Sequence, residues 1–129
     1  MKVKVEQLEG VALDWAVSSE VEHLDAYPKD GGGFEVQWVQ DDVFFEVGTE
    51  YSPSTNWSQG GKLIECHGIG VAKLYEPVDG EIKQGCEWVA LWRDDSVRMD
   101  GPTPLIAAMR GIVAKNRGLE IDIPDELFT

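Results

Sequence analysis

The stretch Gly101-Pro-Thr-Pro-Leu-Ile-Ala-Ala-Met-Arg110 constrains this chain more than any other, because it spells out a helix start in full. Thr103 offers a hydroxyl to the first free backbone N–H groups, and Pro104 takes the first helical position, where no N–H is needed. The helix so opened spans about residues 104–117. Leu105, Met109, Ile112 and Val113 make its broad apolar face, with Ile106 and Ala108 at the margins. Lys115 and Arg117 sit in the last turn, where cations suit the helix dipole, and Gly118 is placed to end it. On the reverse, Ala107, Gly111 and Ala114 form a strip of small residues that permits close approach by another element. A helix with this pattern is expected to be touched on both sides and to lie centrally.

Residues 6–22 are expected to form a first helix with two apolar stripes. Leu8, Val11, Ala12, Trp15 and Ala16 fall on one face; Leu13, Val17, Val21 and Leu24 fall on the other. Asp14 and Ser18 separate the stripes on one side, Glu9 and Glu20 on the other. The second stripe needs cover, either from this chain or from a second subunit meeting it through Leu13, Val17, Val21 and Leu24.

Three glycines, Gly31 to Gly33, close a break that begins at Tyr27; alternation over 34–38 predicts a strand, and 43–47 is expected to return as a second after a turn at Asp41 and Asp42. Asn56 or Thr55 can cap a short helix through Leu63 and Ile64, although Gly60 and Gly61 weaken it by about 1 kcal/mol each relative to alanine. Residues 69–75 and 86–92 predict a long-looped hairpin, and 119–123 an edge strand ended by Pro124. This irregular order, over a length of 129 residues without linker or repeat, argues for one α+β domain. Its mostly antiparallel sheet would pack with an N-terminal helix and a central C-terminal helix.

Twenty-four acids against eleven bases give a formal charge of −13, which repels phosphates and anionic membranes. Direct nucleic-acid binding and a membrane-surface role are therefore not expected. So much acid serves either solubility or mimicry of a nucleic acid at a basic site on a partner. No apolar run is long enough to span a bilayer and the N-terminus has no apolar signal core, so a cytoplasmic protein is expected. Cys66 and Cys86 fit neither a disulfide framework nor a zinc cluster, and each is expected to be a small buried hydrophobe.

No catalytic signature emerges. Read on a strand, Cys66 and His67 would point to opposite faces and could not share a metal, and His23 has no partner at a ligand spacing. Asp41 with Asp42 and Asp94 with Asp95 lie in turn-like contexts that keep carboxylates solvated, and Ser54 and Ser58 lack a nucleophile elbow. Neither a metal nor a cofactor is expected. Segment 51–61 stands apart: Tyr51, Trp57, Gln59, Gly60 and Gly61 combine flat rings, an amide and bare backbone, a mixture suited to contacting a ligand or partner. Arg110, at the border of the apolar face of its helix, is a candidate charged anchor beside it. The structural alternative is that Trp57 plugs the core and the glycines permit its turn.

Three blocks carry a resemblance: Leu8-Glu-Gly-Val-Ala-Leu-Asp-Trp-Ala-Val17, residues 51–64 around Asn-Trp-Ser-Gln-Gly-Gly, and residues 101–127. In this order and spacing they resemble the NinX-like family, small proteins of lambdoid phages and prophages grouped as a domain of unknown function. One departure is Lys62, where the family commonly has proline. The resemblance implies a phage or prophage origin and hence the cytoplasm of a bacterial host; it brings no activity, cofactor or catalytic residue. The resulting expectation is a non-catalytic accessory protein that binds a host or phage protein. The rival is a small-molecule-binding protein or enzyme with a pocket beneath Tyr51, Trp57 and Gln59, where Arg110 holds an anion.

Overall fold

The computed structural model describes residues 2–21, 25–28, 34–37, 39–40, 43–44, 51–74, 87–92 and 97–125. The first half runs β1 (Lys2–Lys4), a 3-10 turn (Val5–Gln7), α1 (Gly10–Ala16), a π-helical turn (Val17–Val21), β2 (Asp25–Pro28), β3 (Phe34–Gln37), β4 (Val39–Gln40) and β5 (Val43–Phe44). The second half runs α2 (Trp57–His67), β6 (Gly70–Lys73), β7 (Trp88–Leu91), β8 (Arg98–Gly101), α3 (Pro104–Arg117) and β9 (Glu120–Asp122). Every described strand pairing is antiparallel. β6, β7 and β8 form a three-stranded meander, and β1–β9, β2–β3 and β4–β5 form separate pairs. The fold is α+β, as its element order implies, with the strands divided among small sheets.

Helix α3 is the centre. Thr103 Oγ1 accepts from the Ile106 N–H at 3.1 Å, Pro104 follows, and Gly118 closes the other end with φ +87°. Every residue of 107–114 is buried, so two turns of the helix are enclosed on all sides. The strip of small residues is where the sheet presses closest. A Cβ on Gly101 in β8 would lie 2.7 Å from the Ala107 nitrogen, and one on Gly111 would lie 2.5 Å from Ile69 Cδ1 and 3.2 Å from Ala90 Cβ. Helix and sheet therefore meet with no room for a further methyl group. At the far end Trp92 locks the contact, its Nε1–H donating to the Gly111 carbonyl at 3.0 Å while Lys115 Nζ stands 5.7 Å from the ring centre.

The opening helix differs from its expected continuous span over 6–22. Leu8 and Glu9 are extended, and Gly10 enters α1 with φ +57°. The cause is Arg110. Its Nε–H donates to the Leu8 carbonyl at 2.7 Å, withdrawing that acceptor from helical bonding, while Leu8 N–H closes the 3-10 turn on Val5. Past Ala16 the helix widens to a π turn, where the Ser18 hydroxyl donates to the Trp15 carbonyl at 2.8 Å. The wider turn brings Val17 and Ser18 inward together, and both are fully buried. Leu13 is also fully buried and Val21 partly so, because the π turn packs on α3 and β2. Of the two covers weighed for this stripe, the chain itself supplies the one over Leu13 and Val17. Leu24 lies outside the described residues.

Four strands, β1, β2, β4 and β8, escaped the sequence reading, and β3 pairs with β2 rather than with the strand at 43–44, whose partner is β4. β1 pairs with β9, setting Lys2 opposite Asp122 and Lys4 opposite Glu120 in favourable cross-strand charge pairs. β8 continues the predicted hairpin as its third strand. The break expected at Tyr27 begins later, since Tyr27 and Pro28 still pair with Glu35 and Phe34. Asp41, Asp42, Asp94, Asp95, Cys86, His23 and the glycines at 31–33 lie outside the described residues.

A methyl group at Gly101 meets backbone atoms, which cannot swing aside. Gly101→Ala is expected to cost about 1–3 kcal/mol in urea unfolding. A loss below about 0.5 kcal/mol, the range of ordinary surface changes, would show that the helix–sheet contact is looser than described.

Candidate functional site

Segment 51–61 is pinned by hydrogen bonds. The Pro53-Ser54-Thr55 turn is closed by the Thr55 and Asn56 N–H groups, which donate to the Ser52 carbonyl at 3.1 and 2.8 Å. Asn56 then caps α2, its Oδ1 accepting from the N–H groups of Ser58 at 2.9 Å and Gln59 at 3.4 Å. Gln59 reaches back, its Oε1 accepting from the Ser52 N–H at 2.6 Å. Beyond these local ties one is long-range: Asp14 Oδ1 on α1 accepts from the Ser54 N–H at 2.9 Å, with both residues buried. A buried carboxylate on a backbone donor is among the stronger hydrogen bonds available to a protein.

Gly60 explains how a helix with two central glycines persists. A Cβ there would run into the Pro53 carbonyl oxygen and lie 2.6 Å from Leu105 Cδ2. Only glycine lets α2 sit against both the preceding turn and α3. Gly61 is different, since a Cβ there would meet nothing within 4 Å. The outcome for the aromatic residues is unequal: Tyr51 is buried, whereas Trp57, the first residue of α2, is 59% exposed. Trp57 is no core plug. A large indole is held in water at the edge of a turn fixed by four hydrogen-bonded residues.

Arg110 does not lie open at the edge of its helix. It is 7% exposed, with Nε donating to Leu8 and a second nitrogen, NH1, donating to the Asp100 carbonyl at 2.8 Å. Its guanidinium ties α3 to the 3-10 turn and to β8, which satisfies a charge that would otherwise be costly to bury. Cys66 and His67 stand in the last turn of α2 rather than on a strand. Cys66 is exposed, contrary to the expected burial, because it lies on the outer face of that helix. His67 turns inward and meets Trp92 edge-on, with 6.5 Å between ring centres. Among the described residues, no three carboxylate, histidine or cysteine side chains are grouped to hold a metal ion.

Two shallow concavities lie elsewhere on the surface. One, about 220 Å³, is lined by Lys4, Glu6, Met99, Leu119 and Glu120. The other, about 330 Å³, is lined by Lys2, Glu20, Arg117, Glu120, Ile121 and Asp122, of which Arg117 and Glu20 form an ion pair at 3.0 Å. Neither includes Tyr51, Trp57, Gln59, Gly60, Gly61 or Arg110. Sequence reasoning missed Asp14, although a signal was present. Asp14 divides the two apolar stripes on the side that the chain covers, whereas Glu9, which divides them on the other side, is exposed.

A family model described as Bacteriophage P22, NinX matches residues 4–116, a span that contains α1, α2 and all but the last residue of α3. Among curated proteins, none matches the sequence. No helix among the described residues is long and apolar enough to cross a membrane.

The two neighbouring glycines are expected to respond oppositely to the same change. Gly60→Ala should destabilise the protein by about 1–3 kcal/mol through overpacking, and Gly61→Ala should stabilise it by up to about 1 kcal/mol through helix propensity. Thermal unfolding of the two variants checks this. Equal effects would show that Gly60 is not wedged against Pro53 and Leu105.

Proposed function

The chain belongs to the bacteriophage P22 NinX family, and from that premise we propose that it is an accessory protein that docks on a host or phage protein in the bacterial cytoplasm, without catalysis. The observation that carries this reading is Trp57, 59% exposed at the head of a helix whose approach is fixed by Asp14, Ser52, Asn56 and Gln59. Tryptophan is the residue most often found as an energetic anchor in protein interfaces. Leaving one in water is unfavourable for the isolated chain, so its rigid presentation suits a partner that covers it.

The surroundings favour a protein over a small molecule. The indole of Trp57 stands 59% exposed, and enclosed small-molecule sites usually bury most of their ligand. The formal charge of −13 would steer the chain toward a basic surface, with association that weakens as salt rises. A nucleic-acid mimic is one form that such a docking protein takes. Arg110, spent on backbone carbonyls, has no part in this surface.

Quantitative affinity capture from infected-host lysate, comparing the wild-type chain with Trp57→Ala, tests the reading. The variant should retain its circular dichroism spectrum and melting temperature yet lose, by about tenfold or more, the proteins that the wild type enriches. A folded variant that captures the same proteins in the same amounts would remove segment 51–61 as the docking surface.

A further inference from the structure

Three residues run along one flank of α2 at four-residue spacing: Trp57, Gly61 and Glu65. Each step advances about 6 Å along the axis, so the indole and the carboxylate stand two turns apart with bare backbone between them. Among the described residues Gly61 has no packing role, since a Cβ there would meet nothing within 4 Å. Glycine is the least favoured residue in a helix interior after proline, so this position sacrifices helix stability without an internal return. Gly60 beside it has a reason in the fold and Gly61 has none. The bare strip is explained if something outside the chain lies across it.

The chemistry of the visitor is indicated by how the protein treats two of its other tryptophans, Trp88 and Trp92. Lys73 Nζ stands 6.0 Å from the centre of the Trp88 ring, and Lys115 Nζ stands 5.7 Å from that of Trp92. Trp57 is the more exposed ring, and among the described residues no cation lies over it. The electron-rich face that attracts a lysine elsewhere in this fold is here turned to solvent. Glu65 is exposed on the same flank, and the chain as a whole carries a charge of −13. The opposing influences are Lys62, exposed on the adjoining face, and the positive end of the helix dipole, which Asn56 partly offsets by accepting from two of the first N–H groups.

We propose, building on the docking role given above to Trp57, that this flank receives an arginine- or lysine-bearing segment of the partner protein. One cation lies over the Trp57 ring, the partner's chain crosses at Gly61, and a second cation pairs with Glu65. Gly61 is the residue that sets the depth of approach, and Lys62 limits affinity.

The test is an NMR titration of the isotope-labelled full chain with a short oligo-arginine peptide, against an oligo-citrulline peptide of the same length and shape but no charge. The Trp57 indole and the Gly61 and Glu65 amides should shift saturably with the arginine peptide, and the citrulline peptide should bind about fivefold more weakly or worse. Gly61→Ala, which is expected to raise the melting temperature, should nonetheless weaken arginine-peptide binding about fivefold or more by filling the approach. Glu65→Gln should weaken it and Lys62→Ala should tighten it, each by about twofold. Equal binding of the two peptides, shifts that leave Trp57 unmoved, or unchanged affinity in Gly61→Ala would overturn the proposal. If Trp57→Ala loses its captured partners while the arginine peptide ignores Trp57, docking stands and the cationic occupant falls. If Trp57→Ala keeps its partners, both fall.

Discussion

The closeness of α3 to the sheet governs everything else in this protein. Gly101 meets Ala107, and Gly111 meets Ile69 and Ala90, at distances where a single methyl group has no place. Close contact over that strip excludes water from the reverse of the helix and leaves its broad face for the other helical elements. Arg110 extends the same constraint sideways. By bonding to the carbonyls of Leu8 and Asp100, one side chain joins the opening turn, the last strand of the meander and the helix between them. A buried arginine in this position favours a unique arrangement, because any shift of those elements strands a charge.

The exposed tryptophan is a product of that core. Leu105, in the first turn of α3, packs where Gly60 has no side chain, and so fixes the distance between α3 and α2. Asp14, buried on α1, holds the Ser54 backbone and with it the turn before α2. Trp57 follows that turn directly, so its position is inherited from two helices without its own burial contributing. For the docking role proposed above, a backbone fixed in this way has little conformational freedom left to lose on binding, which is the usual advantage of preorganisation.

What could be seen in the sequence follows from how local each signal is. The Thr103-Pro104 start, the Asn56 cap, the Gly118 stop and the hairpin of 69–75 with 86–92 all depend on neighbours in the chain, and each has its counterpart in the structure. The strip of small residues at Ala107, Gly111 and Ala114 was also legible, because only close packing gives such a strip a purpose. The break at Leu8 was not. It depends on a bond from Arg110, a hundred residues away, and no local pattern announces that partner. The same is true of the π turn, whose extra residue turns two expected faces into one buried surface. At the candidate site, composition picked out Tyr51, Trp57, Gln59 and the glycines but could not separate the buried tyrosine from the exposed tryptophan. The turn between them is held by Asp14 and the helix after it is seated on Leu105, both on other elements.

Native-state hydrogen exchange tests the central claim most directly, that α3 enclosed against the sheet is the element on which the rest depends. The amides of 107–114 should exchange most slowly of all, and only through global unfolding, with a free energy equal to that from denaturant melting. The β1–β9 pair and the outer flank of α2 should open at lower free energies. If the α3 amides exchange as readily as those of α2, or open independently of the sheet, the account is wrong at its foundation.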